Sequence, residues 1–552
     1  LEGDEREIED RFYTELEFGT AGMRGVIGAG LNRMNAYNVR RATLGLADYI
    51  NQNPEHAGRC VVIAYDSRRF SPEFAEQAAL VLCAQGIKTC LFESLRPVPV
   101  LSFAVRYLGA ISGIVITASH NPPQYNGYKV YWEDGAQFTP PHDKGVTEEV
   151  LAIEDLSTVK TTDEASALAA GKYEVIGKEI DDKYIAQVKA QVVNQKAIDE
   201  MQDQISIVYT PLHGTGNIPA RRVMKELGFT HVYVVPEQEL PDGGFPTVSY
   251  PNPEAAEAFS LGLKLAAEKN ADLVLATDPD ADRLGVYVKD SASGDYIPLT
   301  GNMSGSLLCE YVLSQKQAAG RIPADGQVIK SIVSTNLIDA VAKEYGCELI
   351  EVLTGFKWIG QQVLKNEKTG HGTYLFGMEE SYGCLIGTYA RDKDAISATA
   401  ALCEAAAYYK QKGMTLWDAM VAMYEKYGYY KDAVKSIGLS GIEGLAKIQS
   451  IMETLRNNTP KEVGGYKVVS ARDYKLDTIK DMASGEVKPT GLPSSNVLYY
   501  DLNDGAWICV RPSGTEPKIK FYYGIKGSSM EDADAKSEAL GAAVMAMVDK
   551  MM

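Results

Sequence analysis

Residues 114–122 read Ile-Val-Ile-Thr-Ala-Ser-His-Asn-Pro, an apolar run that stops at a turn of small and polar residues. The run predicts a buried β-strand, and the turn presents Ser119 and His120 at the end of that strand. A serine at the end of a strand can be exposed and held rigidly, as a nucleophile or a phosphate carrier must be. The alternative is an ordinary turn serine before Asn121-Pro122.

The stretches around this strand alternate between strand and helix patterns. Strands predicted at 60–64 and 86–92 precede the strand that ends at Ser119, and predicted helices lie between them. The first of these helices begins near Ser71-Pro72, with Ser71 as the expected N-cap and proline in the first turn. This βαβαβ order is typical of a layered α/β domain.

The same order recurs twice farther along the chain, and each round places polar residues after a strand, where open α/β sheets bind ligands. Near the end, short alternating segments and an Ala-rich helix over 531–551 predict a smaller α+β domain. We therefore expect an α/β protein with three similar mixed α/β layered domains and a smaller C-terminal α+β domain around a central cleft. The predicted domains are residues 1–200, 201–301, 302–428 and 429–552.

A second motif, Asp278-Pro279-Asp280-Ala281-Asp282, follows the apolar run 271–276. Three carboxylates at alternate positions converge on one cation if the backbone bends into a loop, and ligand sets made only of oxygen suit Mg²⁺. A calcium loop of the helix–loop–helix kind is disfavoured, because its glycine and terminal glutamate are missing and a strand precedes the motif. The alternative is a solvated acidic turn.

A third motif runs from Arg511 to Lys518, reads Arg-Pro-Ser-Gly-Thr-Glu-Pro-Lys, and follows a strand-like run. The arginine offers a bidentate fork, and the glycine lets backbone N–H groups approach an anion, which together predict a phosphate cradle. The alternative is a Ser-Gly turn between two strands, because the Gly-Lys-Ser/Thr pattern of a Walker loop is missing.

Bulk composition limits the class of partner. The 552 residues carry a net charge of −18, which argues against nucleic acid and anionic membranes as partners. No apolar stretch approaches about 20 residues, so we expect no membrane span. Eight scattered cysteines without a Cys-x-x-Cys pair are typical of reduced thiols and not of a disulfide frame or zinc site. We expect a cytoplasmic protein, either a monomer or a small homo-oligomer.

Three further motifs are Gly19-Thr-Ala-Gly-Met-Arg-Gly25, Asp66-Ser-Arg-Arg69 and Gly377-Met-Glu-Glu-Ser381. Together with the three motifs above, they make the chain resemble the α-D-phosphohexomutase family, which includes phosphoglucomutases and phosphomannomutases. The resemblance spans nearly the whole chain. It implies a four-domain fold around a cleft and a sugar phosphate as the substrate.

The resemblance also implies the chemistry of the site. Ser119 would carry a phosphoryl group, and Mg²⁺ would be held by Ser119, Asp278, Asp280 and Asp282 and would withdraw charge from that group. The implied catalytic and supporting groups are Lys129 as the general base, His120 and Arg24 as supporting groups, and Arg283 as a contact of the phosphoryl group.

Sugar recognition is implied for Glu379 and Ser381, which would bind adjacent hydroxyls. Relatives with a Glu-Glu-Ser form of this loop resemble glucose-phosphate enzymes, and those with Glu-Met-Ser-Gly-His resemble dual glucose/mannose enzymes, so the sequence favours glucose. Further implied sugar contacts are Thr354, Gly355 and Lys393, and the implied contacts of the phosphate that does not react are Arg511, Ser513, Gly514 and Thr515.

The implied reaction interconverts glucose 1-phosphate and glucose 6-phosphate. Phospho-Ser119 donates to the sugar, the bound glucose 1,6-bisphosphate turns around, and the other phosphate returns to Ser119; the same bisphosphate is the implied activator. The family leaves a phosphomannomutase, a phosphopentomutase and a sugar-bisphosphate synthase open. Alternatives from other classes are a metal-dependent sugar phosphatase and a catalytically inactive sugar-phosphate-binding protein.

Overall fold

The computed structural model describes residues 4–19, 22–439, 441–513 and 518–551. The chain divides into two compact units, the first formed by Leu1–Val328 with Gly355–Asp418 and the second by Ile329–Thr354 with Ala419–Met552. Within the described ranges, no helix combines the length and the apolar character that a membrane crossing requires. The four domain boundaries expected from the sequence stay a prediction.

The first sheet has six strands, β1 (Met23–Val26), β2 (Cys60–Tyr65), β3 (Lys88–Phe92), β4 (Ser112–Ile116), β5 (Tyr125–Trp132) and β6 (Tyr173–Ile176). Their order is β1-β5-β4-β2-β3-β6. Strands β4, β2, β3 and β6 run parallel, whereas β5 and β1 are antiparallel to their neighbours. The mixed sheet expected around the Ser119 strand is therefore confirmed.

Helices cover both faces of this sheet. The helices of this segment are α1 (Glu5–Phe12), α2 (Ala36–Asn51), α3 (Ser71–Ala84), α4 (Val98–Tyr107), α5 (His142–Ala152), α6 (Glu164–Ala169), α7 (Lys178–Lys189) and α8 (Gln195–Met201), and those that cover the two faces include α2, α3, α4 and α5. Val61 and Ile63 of β2 belong to the same apolar core as residues of α2, α3 and α5. Helix α4 packs on β2 and β4 and contacts α7. Because successive strand residues point to opposite faces, α4 covers the face opposite that core.

A second sheet follows, with strands β7 (Ser206–Thr210), β8 (His231–Val234), β9 (Leu273–Thr277), β10 (Leu284–Lys289) and β11 (Tyr296–Leu299). Their order is β11-β10-β9-β7-β8, with β7 parallel to β8 and β9 and the others antiparallel. The helices of this segment are α9 (Asn217–Leu227), α10 (Pro236–Glu239) and α11 (Ser260–Lys269). All five residues of β9 are buried, so the aspartate motif begins at the end of a central strand.

The third α/β segment repeats the alternation. Its strands are β12 (Gly326–Ser331), β13 (Glu348–Val352), β14 (Thr373–Glu379) and β15 (Gly383–Leu385). Its helices are α12 (Gly301–Ala318), α13 (Leu337–Glu344), α14 (Phe356–Thr369), α15 (Ala395–Gln411) and α16 (Leu416–Tyr427). Strands β14 and β15 form an antiparallel hairpin in which Glu379 pairs with Gly383. This hairpin carries the motif at 377–381.

The C-terminal region has a different architecture. Its strands are β16 (Tyr429–Gly438), β17 (Glu462–Val463), β18 (Tyr466–Asp473), β19 (Thr478–Asp481), β20 (Val487–Lys488), β21 (Leu498–Leu502), β22 (Trp507–Pro512) and β23 (Lys518–Gly527). They form an antiparallel sheet in the order β16-β23-β22-β21-β18-β19-β20, with β17 paired to β18. Helices α17 (Gly441–Asn457) and α18 (Met530–Asp549) share its apolar core, which confirms an α+β domain.

Candidate active site

Ser119 follows β4 in a left-handed backbone conformation, with a φ of 51°. Its N–H donates to Thr117 Oγ1 at 2.8 Å, and Thr117 Oγ1 donates to Asp66 Oδ2 at 2.6 Å. The Ser119 hydroxyl is buried and donates to Asp278 Oδ2 at 2.8 Å. The end of the strand thus fixes the direction of the hydroxyl and brings it to a carboxylate of the second sheet segment.

The buried guanidinium of Arg68 holds the Ser119 turn in place. It donates to the carbonyl oxygens of Ser119, of Asn121 at 2.5 Å, of Pro122 at 2.9 Å and of Tyr125 at 3.1 Å. A guanidinium presents five N–H donors in a rigid fork, so one side chain can bind several carbonyl groups at once. Arg68 therefore determines the path of the backbone on both sides of the turn.

The three aspartates follow β9 in a tight loop that Ala281, with a φ of 49°, helps to bend. Asp278 Oδ1 accepts from the N–H groups of Asp282 at 3.2 Å and Arg283 at 3.0 Å. Ligand oxygen atoms of Asp278, Asp280 and Asp282 all lie within 4.8 Å of one another, and all three residues are buried. A solvated acidic turn does not describe this loop.

Two oxygen atoms of this cluster, Asp280 Oδ1 and Asp282 Oδ1, are buried and have no hydrogen-bond partner among the residues that the structure describes. Leaving a buried carboxylate oxygen unsatisfied is costly, whereas a bound cation would satisfy it. Converging carboxylates are ligands that Mg²⁺ takes in proteins. The donor set therefore fits Mg²⁺.

Two lysines offset part of the negative charge. Lys129 is buried, and its Nζ donates to Asp280 Oδ2 at 2.7 Å, while Lys393 Nζ lies 3.3 Å from Asp282 Oδ2. Burial raises the pKa of Asp278 well above its usual value, and the neighbouring aspartates add to the effect. Burial also opposes ionisation of Asp280, but the ammonium of Lys129 outweighs it and holds the pKa of Asp280 below its usual value.

His120 and two arginines surround the serine turn. His120 Nδ1 lies 3.3 Å from Ser119 Oγ, and burial, assisted by Arg283 and Arg24, lowers the pKa of His120 well below its usual value. Arg24 Nη1 donates to Asn121 Oδ1 at 2.8 Å. Arg283 forms its short ion pair with Glu254, at 2.5 Å, while its own neighbour Asp282 lies 3.9 Å away.

The residues expected to bind the sugar begin at the end of β14. Glu379 Oε1 accepts from the N–H of Gly355 at 2.6 Å, and burial raises the pKa of Glu379 to about 7, with Lys393 acting against burial. Lys393 Nζ also lies 3.2 Å from Asp392 Oδ1. Ser381 is half-buried in the turn after β14. Lys393 therefore joins the segment that follows this hairpin to the aspartate cluster.

The residues expected to bind the second phosphate belong to the second unit. Arg511 is half-buried near the end of β22, and the N–H of Ser513 donates to the carbonyl of Lys518 at 2.7 Å. Gly514 and Thr515 lie outside the described residues. Thr354 also belongs to this unit and follows β13. The roles expected for these five residues stay predictions.

Sequence patterns assign no role to four residues that support the site, namely Asp66, Arg68, Thr117 and Asp392. Asp66 and Arg68 lie in a polar motif directly after a strand, which is a usable signal. Thr117 and Asp392 carry no such signal, because each is bonded to a residue that is distant in the sequence. Thr117 donates to Asp66, and Asp392 accepts from the Tyr131 hydroxyl at 2.8 Å.

Family models match the chain in four consecutive segments. They are described as phosphoglucomutase/phosphomannomutase alpha/beta/alpha domain I over residues 15–157, domain II over 182–294 and domain III over 300–427, and as the phosphoglucomutase/phosphomannomutase C-terminal domain over 452–540. The matched segments cover well over half of the sequence.

Individual relatives and solved structures similar to this chain also belong to phosphoglucomutases or to the phosphoglucomutase/phosphomannomutase family. A phosphoglucomutase of Staphylococcus saprophyticus is 36% identical over 97% of this chain and 95% of its own length, and one of Staphylococcus epidermidis is 37% identical over 94% and 92%. Among solved structures, the open form of pp63/parafusin, a phosphoglucomutase from Paramecium, aligns with a TM-score of 0.69 at 18% identity, covering 98% of this chain and 95% of its own. A phosphoglucomutase/phosphomannomutase family protein of Burkholderia thailandensis aligns at 0.64 and 21% identity, covering 95% and 97%.

Proposed function

The chain belongs to the phosphoglucomutase/phosphomannomutase family, and from this premise we propose that it interconverts glucose 1-phosphate and glucose 6-phosphate through a phosphoserine at Ser119. The observation that carries the proposal is the Ser119 hydroxyl, held 2.8 Å from Asp278 beside three converging buried carboxylates. Phosphoryl transfer depends on a positioned oxygen and on neutralisation of charge around the transferred group. The serine offers the positioned oxygen, and the carboxylates would hold the cation that neutralises the charge.

In the proposed cycle, the bond from phosphorus to Ser119 Oγ breaks as the 6-hydroxyl oxygen of glucose 1-phosphate bonds to the same phosphorus. Buried Lys129 would act in its neutral amine form, taking the proton of the sugar hydroxyl and returning it to the serine oxygen, and His120, 3.3 Å from Ser119 Oγ, would support the serine. The bound glucose 1,6-bisphosphate then reorients. Its other phosphate returns to Ser119, which leaves glucose 6-phosphate.

Charge is balanced by the chain and by one cation. Asp278, Asp280, Asp282 and phosphorylated Ser119 would hold Mg²⁺, which supplies positive charge against the phosphoryl oxygens. Lys393 offsets Asp282, and Arg24 orients the turn through Asn121. Exclusion of water from the site would protect the phosphoserine from hydrolysis.

Two observations support glucose as the preferred sugar. The full-length relatives described above are named phosphoglucomutase, and the loop at 379–381 reads Glu-Glu-Ser. The hydrogen bond from the N–H of Gly355 fixes the orientation of the Glu379 carboxylate, and a fixed carboxylate is what recognition of one sugar hydroxyl requires. The other proposed contacts are Arg283 for the phosphoryl group, Thr354, Gly355, Ser381 and Lys393 for the sugar, and Arg511, Ser513, Gly514 and Thr515 for the distal phosphate. Glucose 1,6-bisphosphate is the proposed activator, and a cytoplasmic location and a monomer or small homo-oligomer remain predictions.

Phosphorus NMR of the purified protein with Mg²⁺ and a trace of glucose 1,6-bisphosphate tests this proposal. We expect glucose 1-phosphate to become glucose 6-phosphate, faster than mannose 1-phosphate or ribose 1-phosphate is converted. Faster turnover of mannose or ribose phosphate would favour another member of the family. Inorganic phosphate as the main product would favour a phosphatase, and binding without turnover would favour an inactive binding protein.

A further inference from the structure

Strand β5 carries a second buried side chain toward the site, in addition to Lys129. Tyr131 lies two residues after Lys129, so the two side chains point to the same face of the sheet. Tyr131 is fully buried, and its hydroxyl donates to Asp392 Oδ2 at 2.8 Å. One strand therefore binds two acidic segments, the aspartate loop through Lys129 and the segment 391–394 through Tyr131.

Asp392 divides its two oxygen atoms between Tyr131 and Lys393. Oδ2 accepts from the Tyr131 hydroxyl, whereas Oδ1 accepts from the backbone N–H of Lys393 at 2.8 Å and from Lys393 Nζ at 3.2 Å. Lys393 Nζ also lies 3.3 Å from Asp282 Oδ2. The ammonium is therefore shared between two carboxylates, and both of these residues are buried.

These contacts form a closed chain of polar groups. Lys129 Nζ lies 3.7 Å from Asp282 Oδ2, the same oxygen atom that Lys393 approaches. Lys393 and Asp392 connect that oxygen atom to Tyr131. Strand β5 then closes the chain between Tyr131 and Lys129. Because buried polar groups in one network depend on one another, a change at Tyr131 should reach the aspartate cluster.

The backbone on both sides of Lys393 has its own anchors. The N–H of Arg391 donates to Ser102 Oγ at 2.8 Å. Asp394 caps helix α15, and its side chain accepts from two N–H groups of the first turn. A lysine side chain is a flexible four-carbon stem with a mobile ammonium group. The part of this segment that responds most easily to a change at Asp392 is therefore the side chain of Lys393.

We propose that Tyr131 is a positioning residue, which keeps the Lys393 ammonium available to the sugar by binding the far oxygen of Asp392. This inference rests on the proposed function, in which Lys393 contacts the sugar. Without the Tyr131 hydroxyl, Asp392 Oδ2 would lose this donor, and a buried oxygen that loses its donor is unfavourable. Lys393 already binds the other oxygen of the same carboxylate, so its ammonium would turn toward Asp392 and away from both Asp282 and the sugar.

Steady-state kinetics of Tyr131→Phe test this role, because the substitution removes one hydroxyl and keeps the ring. We expect KM for glucose 1-phosphate to rise at least about tenfold and kcat to change less than about threefold, since Lys393 is proposed to bind the sugar and not the transferred group. Tyr128→Phe is the matched control. Tyr128 is buried in the same strand on the opposite face, where its hydroxyl lies 3.0 Å from Thr43 Oγ1, so its KM and kcat should equal those of the wild type.

A double variant separates positioning from other effects of the substitution. In a Lys393→Met background, Tyr131→Phe should change KM no further, because its effect acts through the lysine. Independent, multiplying effects of the two substitutions on KM would overturn the proposal. Equal KM values for Tyr131→Phe and Tyr128→Phe would overturn it as well.

Binding of Mn²⁺ without sugar, counted by electron paramagnetic resonance, gives a readout that general damage to the site would move in the opposite direction. The Lys393 ammonium competes with a cation for Asp282 Oδ2, so Tyr131→Phe should bind Mn²⁺ at least about twofold more tightly than the wild type. Equal or weaker binding by the folded variant would contradict the proposal. This readout needs no turnover, whereas failure of the wild type to convert glucose 1-phosphate would count against the proposed function alone.

Unfolding temperatures establish first that both tyrosine variants are folded. If Tyr131→Phe does not fold, Asp392→Asn tests the same competition with the opposite sign. Removing the charge of Asp392 leaves the Lys393 ammonium to Asp282, so Mn²⁺ should bind at least about twofold more weakly than in the wild type. Equal or tighter binding of Mn²⁺ by Asp392→Asn would show that Lys393 is not shared in this way, and the proposal would be wrong.

Discussion

Ser119 occupies a backbone region that L-residues with a side chain seldom adopt. A left-handed conformation costs a non-glycine residue on the order of 1 kcal/mol and persists where the surroundings determine it. Here the surroundings are the Thr117 hydroxyl, which binds the Ser119 N–H, and the Arg68 guanidinium, which binds its carbonyl. The strained turn aims Oγ at Asp278, so the loop conformation and the chemistry of the serine depend on each other.

Arg68 should act as a positioning residue. Replacing it in Arg68→Ala leaves four carbonyl oxygens without their donor and lets the turn relax, so we expect kcat to fall on the order of 100-fold while KM for glucose 1-phosphate changes much less. The rate at which glucose 1,6-bisphosphate phosphorylates Ser119 should fall in parallel. Arg69→Ala is the control, because Arg69 is exposed and adjacent in sequence. Equal effects of the two substitutions would refute a specific role for Arg68.

Metal dependence follows from the two unpaired carboxylate oxygens. Chelation should abolish turnover, and added Mg²⁺ should restore it. In Asp280→Asn, which removes one of those oxygens and one negative charge, the Mg²⁺ concentration for half-maximal activity should rise at least about tenfold. Binding of Mn²⁺, counted by electron paramagnetic resonance, gives a readout that does not need activity. The control Asp295→Asn, on an exposed loop, should bind Mn²⁺ as the wild type does. Equal loss of Mn²⁺ binding in Asp295→Asn and Asp280→Asn would count against the aspartate cluster as the metal site.

At the scale of elements, strand ends assemble the site. Strands β2, β4 and β9 end just before Asp66, Ser119 and Asp278, and these carboxyl ends supply the proposed nucleophile and the acidic cluster. Parallel strands place their carboxyl ends at one edge of a sheet, which is why polar residues after buried strands predict a site. The sequence is sufficient to identify these strands and the motifs that follow them.

Pairings between distant residues could not be predicted in the same way. Lys129 and Asp280 are 151 residues apart, and no periodicity or local motif relates them.

Ser71 shows a second limit of prediction from sequence, because a serine before proline predicts an N-cap. In the structure Phe70 occupies the cap with a φ of 64°, and the Ser71 hydroxyl donates to Asp66 Oδ1 at 2.8 Å. The need of buried Asp66 for donors outweighs the local capping preference.

Helix α15 carries a buried carboxyl group that should make stability depend on pH. Glu404 Oε1 accepts from the Tyr311 hydroxyl and from the N–H groups of Val193 and Asn194, and burial raises the pKa of Glu404 to about 7. Below about pH 4.5 both folded and unfolded chains are protonated here, and the stabilisation is complete. As pH rises to about 7 the unfolded chain ionises first, so the free energy of unfolding should fall by up to about 3 kcal/mol.

Glu404→Gln tests this pH effect, because glutamine keeps the oxygen that accepts all three hydrogen bonds but cannot ionise. Relative to the wild type, the variant should become more stable as pH increases from 4.5 to 7, measured by chemical denaturation at several pH values. For the control Glu268→Gln, at an exposed position of α11, the free energy of unfolding should change with pH as it does in the wild type. If the free energy of unfolding of Glu404→Gln also changed with pH as in the wild type, Glu404 would ionise alike in the folded and unfolded chains, and the prediction would be wrong.

At the scale of the whole molecule, the charge of the protein and the charge of its substrate have the same sign. The net charge of −18 repels a sugar phosphate at long range, so attraction must come from cationic groups near the site. Arg24, Lys129, Arg283 and Lys393 are such groups, and acidic residues lie beside three of them. A phosphorylated serine would add further negative charge to this cluster, and a bound divalent cation would offset it.

The central claim is that the protein carries a phosphoryl group on Ser119, and intact-protein mass spectrometry tests it most directly. After incubation with glucose 1,6-bisphosphate and Mg²⁺ and removal of small molecules, the wild type should gain the mass of one phosphoryl group and lose it again on treatment with glucose 1-phosphate. The Ser119→Ala variant should gain nothing and should not isomerise sugar phosphates. Equal phosphorylation of that variant, or isomerisation by it at the rate of the wild type, would contradict the account.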